Sequence, residues 1–198
     1  MLKKGKEDLE HYKSLKVIIS SFFVIILLFS KFDLGIVIIQ YSIFLYILLV
    51  LCSYDLKYKA VPDYLLLVVL VLSFFITKFD FITSFQNALL LSGAMVLLNF
   101  LVTFYIQNIK SKILNDESLK TKTALGEGDI PLIASIGVVL GLQEAIFTIF
   151  LSAIIGIIHT IYVRIMRKDN EIPFIPSLVF AFFLEFFLNI SSYLKDFY

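Results

Sequence analysis

Seven apolar segments, separated by short charged or Pro/Gly-containing stretches, constrain this chain more than any other feature. They cover approximately 17–30, 34–54, 64–77, 85–106, 130–142, 145–166 and 173–194. A helix needs about 20 apolar residues to cross a bilayer, and four of the segments reach that length. Because lipid offers the backbone no hydrogen bonds, we predict that the segments are helices.

The composition agrees with this pattern. Hydrophobic residues make up 60% of the 198-residue chain, whereas soluble domains contain about 45–50% apolar residues. The formal net charge is only +1, so a nucleic-acid partner has no electrostatic support. We therefore predict an all-α, polytopic integral membrane bundle of about seven transmembrane helices, with membrane lipid as its surroundings.

Lysine and arginine residues predict the orientation of these helices. If the N-terminus is cytoplasmic and each segment crosses once, 14 of the 17 Lys and Arg residues fall on the cytoplasmic side. The three on the outer side are Lys31, Lys78 and Lys195. This asymmetry follows the positive-inside rule and supports seven crossings, since omitting one segment would reverse every later loop. The sequence thus predicts a multi-pass protein of the inner (cytoplasmic) membrane.

The charge pattern also divides the chain. Residues 1–16 form a basic cytoplasmic segment, and residues 17–198 form the transmembrane domain, with a cytoplasmic loop at about 107–128. The loop is interpreted as a solvated linker. The alternative is a flap near the functional site, or a surface for anionic lipid head groups.

Two aspartates fall at the cytoplasmic edge of predicted helices. Asp55 ends the second segment, and Asp129 opens the fifth. The topology that places both at one face rests on Lys and Arg alone, so it is independent of the aspartates. Two neighbouring carboxylates cannot both ionise cheaply, so one retains a proton. Such a pair can hydrolyse a peptide bond, the charged member activating water and the neutral member polarising the carbonyl.

Gly126, Glu127 and Gly128 directly precede Asp129. Glycine permits backbone angles closed to other residues and lets another backbone approach closely. Since a peptide substrate must lie extended against the site, we predict that these three residues form a substrate-binding loop.

Each acid also has a structural interpretation. Asp129 could cap the helix that follows it, and Asp55 could be an interfacial charge beside Lys57 and Lys59. Asp63, in a Val-Pro-Asp stretch, is a rival acid whose position predicts a cap or a turn, with a supporting role at the site as the alternative.

Polar residues inside the apolar segments leave other functions open. Glu185, His159 and Asn99 could line a transport path, because ionisable residues within a membrane are candidates for function. For Glu185 we prefer a protonated side chain bonded to a neighbouring helix. Cys52 is the only cysteine, and the two histidines, His11 and His159, are far apart. The sequence therefore predicts neither a metal site nor a cofactor.

Three stretches together resemble the type IV prepilin peptidases and the archaeal preflagellin peptidases. Residues 55–63 contain an aspartate, a short basic stretch and a Pro-Asp pair, and residues 126–129 form a Gly-x-Gly-Asp block. Residues 172–176 read Ile-Pro-Phe-Ile-Pro and precede the last helix. The order and spacing of the three stretches match the family over about residues 50–180.

The resemblance implies an aspartic-type endopeptidase with Asp55 and Asp129 as its catalytic pair and with Pro173 in a supporting role. It implies that the basic leader of prepilin-like precursors is cut at the cytoplasmic membrane face. The second to seventh segments would form a six-helix peptidase core, and the first would be an addition. The four-cysteine zinc region of larger members is not found in the sequence, so N-methyltransferase activity is not expected. The alternatives are a small transporter or channel and a non-catalytic subunit of a pilus or secretion system.

Overall fold

The computed structural model describes Leu28 and residues 35–121, 123, 126, 128–167 and 173–195, with side chains for all but 164–167 and 194–195. Every regular element within these residues is helical. The α-helices are α1 (Ile36–Tyr58), α2 (Asp63–Ile76), α3 (Phe81–Phe104), α4 (Ser111–Leu114), α5 (Asp129–Leu140), α6 (Leu142–Arg167), α7 (Ile175–Leu188) and α8 (Ile190–Lys195). A π-helical turn, Tyr105–Lys110, joins α3 to α4, and a 3₁₀ turn covers Glu117–Thr121. The predicted basic segment 1–16 and the first apolar segment lie outside the described residues, except for Leu28, which is buried.

Among the residues that the structure describes, three helices are long and apolar enough to cross a membrane. They are α1, the continuous helix Phe81–Leu114 and the Leu142–Val163 part of α6. Large apolar side chains on each of them point outward, for example Ile36, Phe100 and Phe150. A bilayer supplies the apolar surroundings that such surfaces require, and the helices satisfy their own backbone hydrogen bonds. The predicted fold class, an all-α membrane bundle, is confirmed.

Helices α2, α5 and α7 are apolar but have only 14, 12 and 14 residues. At 1.5 Å per residue they extend about 18–21 Å, less than the roughly 30 Å hydrocarbon core of a bilayer. Helix α5 is surrounded by protein, since ten of its twelve residues are buried and it packs on α2, α3 and α6. Helix α3 packs closely on α5 at Gly137, where a Cβ would overlap the Leu91 side chain.

Helices α1 and α7 pack against each other in an antiparallel arrangement. The rings of Tyr41 and Phe186 lie 5.3 Å apart, and those of Phe44 and Phe182 lie 6.0 Å apart. As the residue number rises along α1 it falls along α7. The same register brings the end of α1, near Asp55, to the beginning of α7.

Two helix boundaries differ from the sequence prediction. The helix that begins at Phe81 continues to Leu114 instead of ending near residue 106. Its polar side chains bond back to the helix, since Asn108 donates to the Phe104 carbonyl and Ser111 to the Gln107 carbonyl. The last predicted segment, 173–194, is divided into α7 and α8 because Asn189 adopts a left-handed conformation (φ 47°), which asparagine tolerates better than most residues.

The other end of α5 is fixed by the turn between α2 and α3. The Thr77 hydroxyl donates to the Val138 carbonyl at 2.7 Å. Gly141 ends α5 with φ +89°, and a Cβ there would lie 2.8 Å from the Phe79 ring. These contacts fix the end of α5 that lies farthest from Asp129.

Candidate active site

Asp55 lies in the last turn of α1, where the chain leaves the apolar stretch. Its side chain is buried although Leu56, Lys57 and Tyr58 beside it are exposed. The carboxylate oxygen Oδ2 accepts a hydrogen bond of 3.1 Å from the backbone N–H of Ile175. Asp55 is therefore held by a residue 120 positions away in sequence, at the beginning of α7.

Asp129 is the first residue of α5 and lies outside the three membrane-spanning helices. It is 7% exposed, and its backbone N–H donates to the Gly126 carbonyl at 3.2 Å. Burial and the charge of Asp55 raise the pKa of Asp129 from its ordinary 3.8 to about 6, while a hydrogen bond from the Gly126 backbone opposes the shift. Asp55 is thus near enough to contribute to the raised pKa of Asp129.

The two glycines before Asp129 are needed for space. A Cβ at Gly126 would lie 3.2 Å from Oδ2 of Asp129, and a Cβ at Gly128 would lie 3.2 Å from the Leu66 side chain. Of the two predicted reasons, unusual backbone angles do not apply to Gly128, which has φ −69° and ψ −20°. The close approach of a substrate backbone stays a prediction. A side chain at either position would press on the wall of the site.

The other predicted site residues have different positions. Glu127 lies outside the described residues. Asp63 is the first residue of α2 and is exposed, so its charge lies at the N-terminus of that helix. Pro173 is partly buried two residues before α7, so it borders Ile175, the residue that contacts Asp55.

The contact between Asp55 and Ile175 was not predicted from the sequence, because the Ile175 side chain is apolar and the donor is its backbone N–H. The signal that could have found it is the pair of prolines, Pro173 and Pro176, which marks a helix start with few N–H donors.

Glu185 has a contact that accounts for its burial. Its carboxylate accepts hydrogen bonds from the backbone N–H of Ser191, at 3.1 Å, and from the Ser191 hydroxyl. It therefore satisfies donors at the beginning of α8, as the predicted bond to a neighbouring helix requires. Within the part of the chain that the structure describes, His, Cys, Asp and Glu side chains form no group of three that could hold a metal ion.

The model of the type IV leader peptidase family matches residues 42–161. This is more than half of the chain. The chain belongs to the type IV leader peptidase family.

The curated relatives share a name, prepilin leader peptidase/N-methyltransferase. The protein of Vibrio cholerae serotype O1 is 24% identical over 143 residues, which are 72% of this chain and 53% of the relative. That of Stutzerimonas stutzeri is 29% identical over 137 residues (68% and 44%), and that of Neisseria gonorrhoeae is 36% identical over 73 residues (37% and 25%). The chain thus spans about half of these relatives or less. No solved structure matches it.

The match to the type IV leader peptidase family covers both candidate carboxylates. Residues 42–161 include Asp55, Asp129 and the glycines of the Gly-x-Gly-Asp block. The matched region ends before Pro173 and Ile175. The contact between Asp55 and α7 therefore comes from the structure of this chain and not from the family match.

Proposed function

We propose that this chain is a membrane-embedded aspartic-type endopeptidase that removes the basic leader of prepilin-like precursors. The observation that carries the proposal is the burial of two carboxyl groups, Asp55 and Asp129, at the ends of two different helices. The charge of Asp55 also helps to raise the pKa of Asp129. One proton shared between two such groups gives an acid and a base in the same site at moderate pH.

The retained proton is assigned to Asp129, whose pKa is raised to about 6. In the proposed reaction the charged Asp55 takes a proton from water as the water oxygen attacks the scissile carbonyl carbon. Asp129 gives its proton to the carbonyl oxygen. When the C–N bond breaks, the proton on Asp55 passes to the amine, and Asp129 recovers a proton from the tetrahedral intermediate. The pair ends in its initial protonation state.

The surroundings of the pair suit a substrate that is part leader and part membrane helix. Both carboxyl groups lie where helices leave or enter the apolar bundle, so a bond next to an apolar helix could reach them. The Lys and Arg asymmetry of the sequence supports a cytoplasmic position for this end in the inner membrane. The name of the relatives, prepilin leader peptidase/N-methyltransferase, supports prepilin as the substrate class. The proposal is confined to peptide cleavage and leaves out methylation.

The test is incubation of the purified full chain, in detergent or liposomes, with a prepilin-like precursor. Wild type should release the leader, and Asp129→Asn should leave the precursor uncut. Asp63→Asn is the matched control, because Asp63 is an exposed aspartate and should be dispensable. Cleavage by Asp129→Asn at the wild-type rate would contradict the assignment of Asp129 as a catalytic residue.

The alternatives from the sequence predict other results. A transporter or channel that uses Glu185 would lose flux in Glu185→Gln and would not need the aspartates. A non-catalytic assembly subunit would support pilus or secretion function in cells when both Asp55 and Asp129 are replaced by Asn. The peptidase proposal predicts loss of that function together with accumulation of the uncut precursor.

A further inference from the structure

The beginning of α7 offers few free backbone donors. The first N–H groups of a helix have no partner within the helix and are usually bonded by a capping side chain. Here the N-cap residue, Phe174, supplies no side-chain hydrogen bond, and Pro176 has no N–H. The first bond within the helix runs from the Leu178 N–H to the Phe174 carbonyl. The Ile175 N–H therefore lies at the positive end of the helix dipole and is available to an acceptor from outside α7.

Asp55 accepts this donor from another helix. The bond joins Oδ2 of Asp55 to the Ile175 N–H at 3.1 Å, and both residues are buried, at 6% and 2% exposure. The bond lies at one end of the packed α1–α7 pair, whose ring contacts fix the register. The Ile175 side chain belongs to the same apolar core as Phe44 and Phe182. The donor thus belongs to a residue that is packed in the core of the bundle.

We propose that the Ile175 N–H is a positioning group for Asp55, which holds Oδ2 and turns the other oxygen, Oδ1, toward the water that attacks the substrate. This inference rests on the proposed peptidase function. The helix N-terminus also stabilises the negative charge that the water-activating carboxylate must carry. Ile175 itself does not touch the substrate.

A purely structural role for the bond is the competing explanation, because it also joins α1 to α7. The two roles differ in what they change. Loss of an orienting bond lowers kcat and leaves KM unchanged, since substrate binding does not depend on the direction of the Asp55 oxygens. Loss of a structural tie lowers thermal stability, and it affects activity no more than loss of any other bond at this helix start.

The experiment replaces single backbone amides of the full-length chain by esters. An ester at Ile175 keeps the side chain, removes the N–H and weakens the Phe174 carbonyl as an acceptor for the Leu178 N–H. The matched control is an ester at Leu178, which removes the Leu178 to Phe174 bond at the same helix start without touching Asp55. Ile175→Val, which keeps the N–H, is the second control. Leader cleavage is measured as kcat and KM, and unfolding as Tm.

The Ile175 ester should lower kcat about tenfold to a hundredfold, the range expected for a hydrogen bond to a charged group, with KM and Tm near the wild-type values. The Leu178 ester and Ile175→Val should keep kcat within about twofold. An unchanged kcat in the Ile175 ester, or an equal fall in the Leu178 ester, would overturn the inference. Failure of the wild type to cleave would instead overturn the proposed function.

Discussion

The two candidate carboxylates have the same chemistry but are held in different ways. Asp55 ends a membrane-spanning helix and depends on a donor from α7, 120 residues away. Asp129 begins the short helix α5, and its nearest backbone partner is Gly126, three residues away. One carboxylate is fixed by packing between helices and the other by a local turn, so different parts of the chain control the two halves of the site.

This difference has a physical consequence for the pair. Asp55 lies at the N-terminus of α7 as a cap from outside that helix, which favours a negative charge. Asp129 lies on the first turn of its own helix, but burial and the charge of Asp55 raise its pKa to about 6. In the proposed mechanism Asp55 is the base and Asp129 is the acid. Changes in the local turn should affect Asp129, and changes at α7 should affect Asp55.

The largest effect among the local changes is expected for Gly126→Val. The Cβ alone would lie 3.2 Å from Oδ2 of Asp129, and the branched side chain would move the carboxyl group further. Since a misplacement of about 1 Å can cost about a hundredfold in rate, kcat for leader cleavage should fall by about that factor. Gly93→Val is the control, because a Cβ at Gly93 has no atom within 4 Å. Equal losses in both variants would show that the Gly126 turn has no special role.

The next effect concerns pH. Asp129 must keep its proton to act as the acid, and its pKa of about 6 lies above the ordinary 3.8. As pH rises above about 6 the proton is lost from the free enzyme, so kcat/KM should fall by up to tenfold per pH unit on the alkaline side. A profile of kcat/KM against pH for the purified chain measures this. An alkaline limb near pH 4, or a flat profile from pH 5 to 9, would contradict the raised pKa.

The same raised pKa should appear in stability. Between pH 4 and 6 the folded chain binds a proton at Asp129 that the unfolded chain has released, so the free energy of unfolding should fall as pH rises through this window. The change is at most about 3 kcal/mol, from a shift of about two pH units. Asp129→Asn should remove this contribution, and the difference in Tm between pH 4 and pH 6 should shrink. If the stability of the wild type rose between pH 4 and pH 6 while that of Asp129→Asn stayed constant, the raised pKa of Asp129 would be contradicted.

The smallest effect is expected for Asp63→Asn. Asp63 is exposed at the first residue of α2. A charge at a helix N-terminus stabilises by about 0.3–1 kcal/mol, so Tm should fall slightly and cleavage should change less than twofold. A hundredfold loss of cleavage would place Asp63 in the site and would replace the two-carboxylate account.

Much of this fold could be predicted because it depends on composition and period. The apolar segments predicted α1, α2, α5 and α6 to within a few residues. The end of α3 was missed because Asn108 and Ser111 bond to carbonyls of their own helix, which polarity alone does not indicate. The break at Asn189 was missed because a polar residue in an apolar run does not by itself indicate a left-handed backbone conformation.

The site shows the same division. Asp129 and its glycines are adjacent in sequence, so a local pattern could identify them. The partner of Asp55 is a backbone N–H on α7, and a backbone group has no residue type to recognise. Only the packing of α1 on α7 reveals it. The glycines show a related limit: the sequence indicated that they matter, but their reason is the space beside Asp129 and Leu66.

The central claim is that Asp55 and Asp129 act as one unit, and a double-mutant cycle on leader cleavage tests it most directly. Asp55→Asn, Asp129→Asn and the double variant are compared with wild type as purified full-length chains. Residues that act as a unit give non-additive losses. We predict that each single variant loses at least about a thousandfold and that the double variant is no slower than either one. Losses that multiply in the double variant, or a single variant that cleaves at the wild-type rate, would contradict the account.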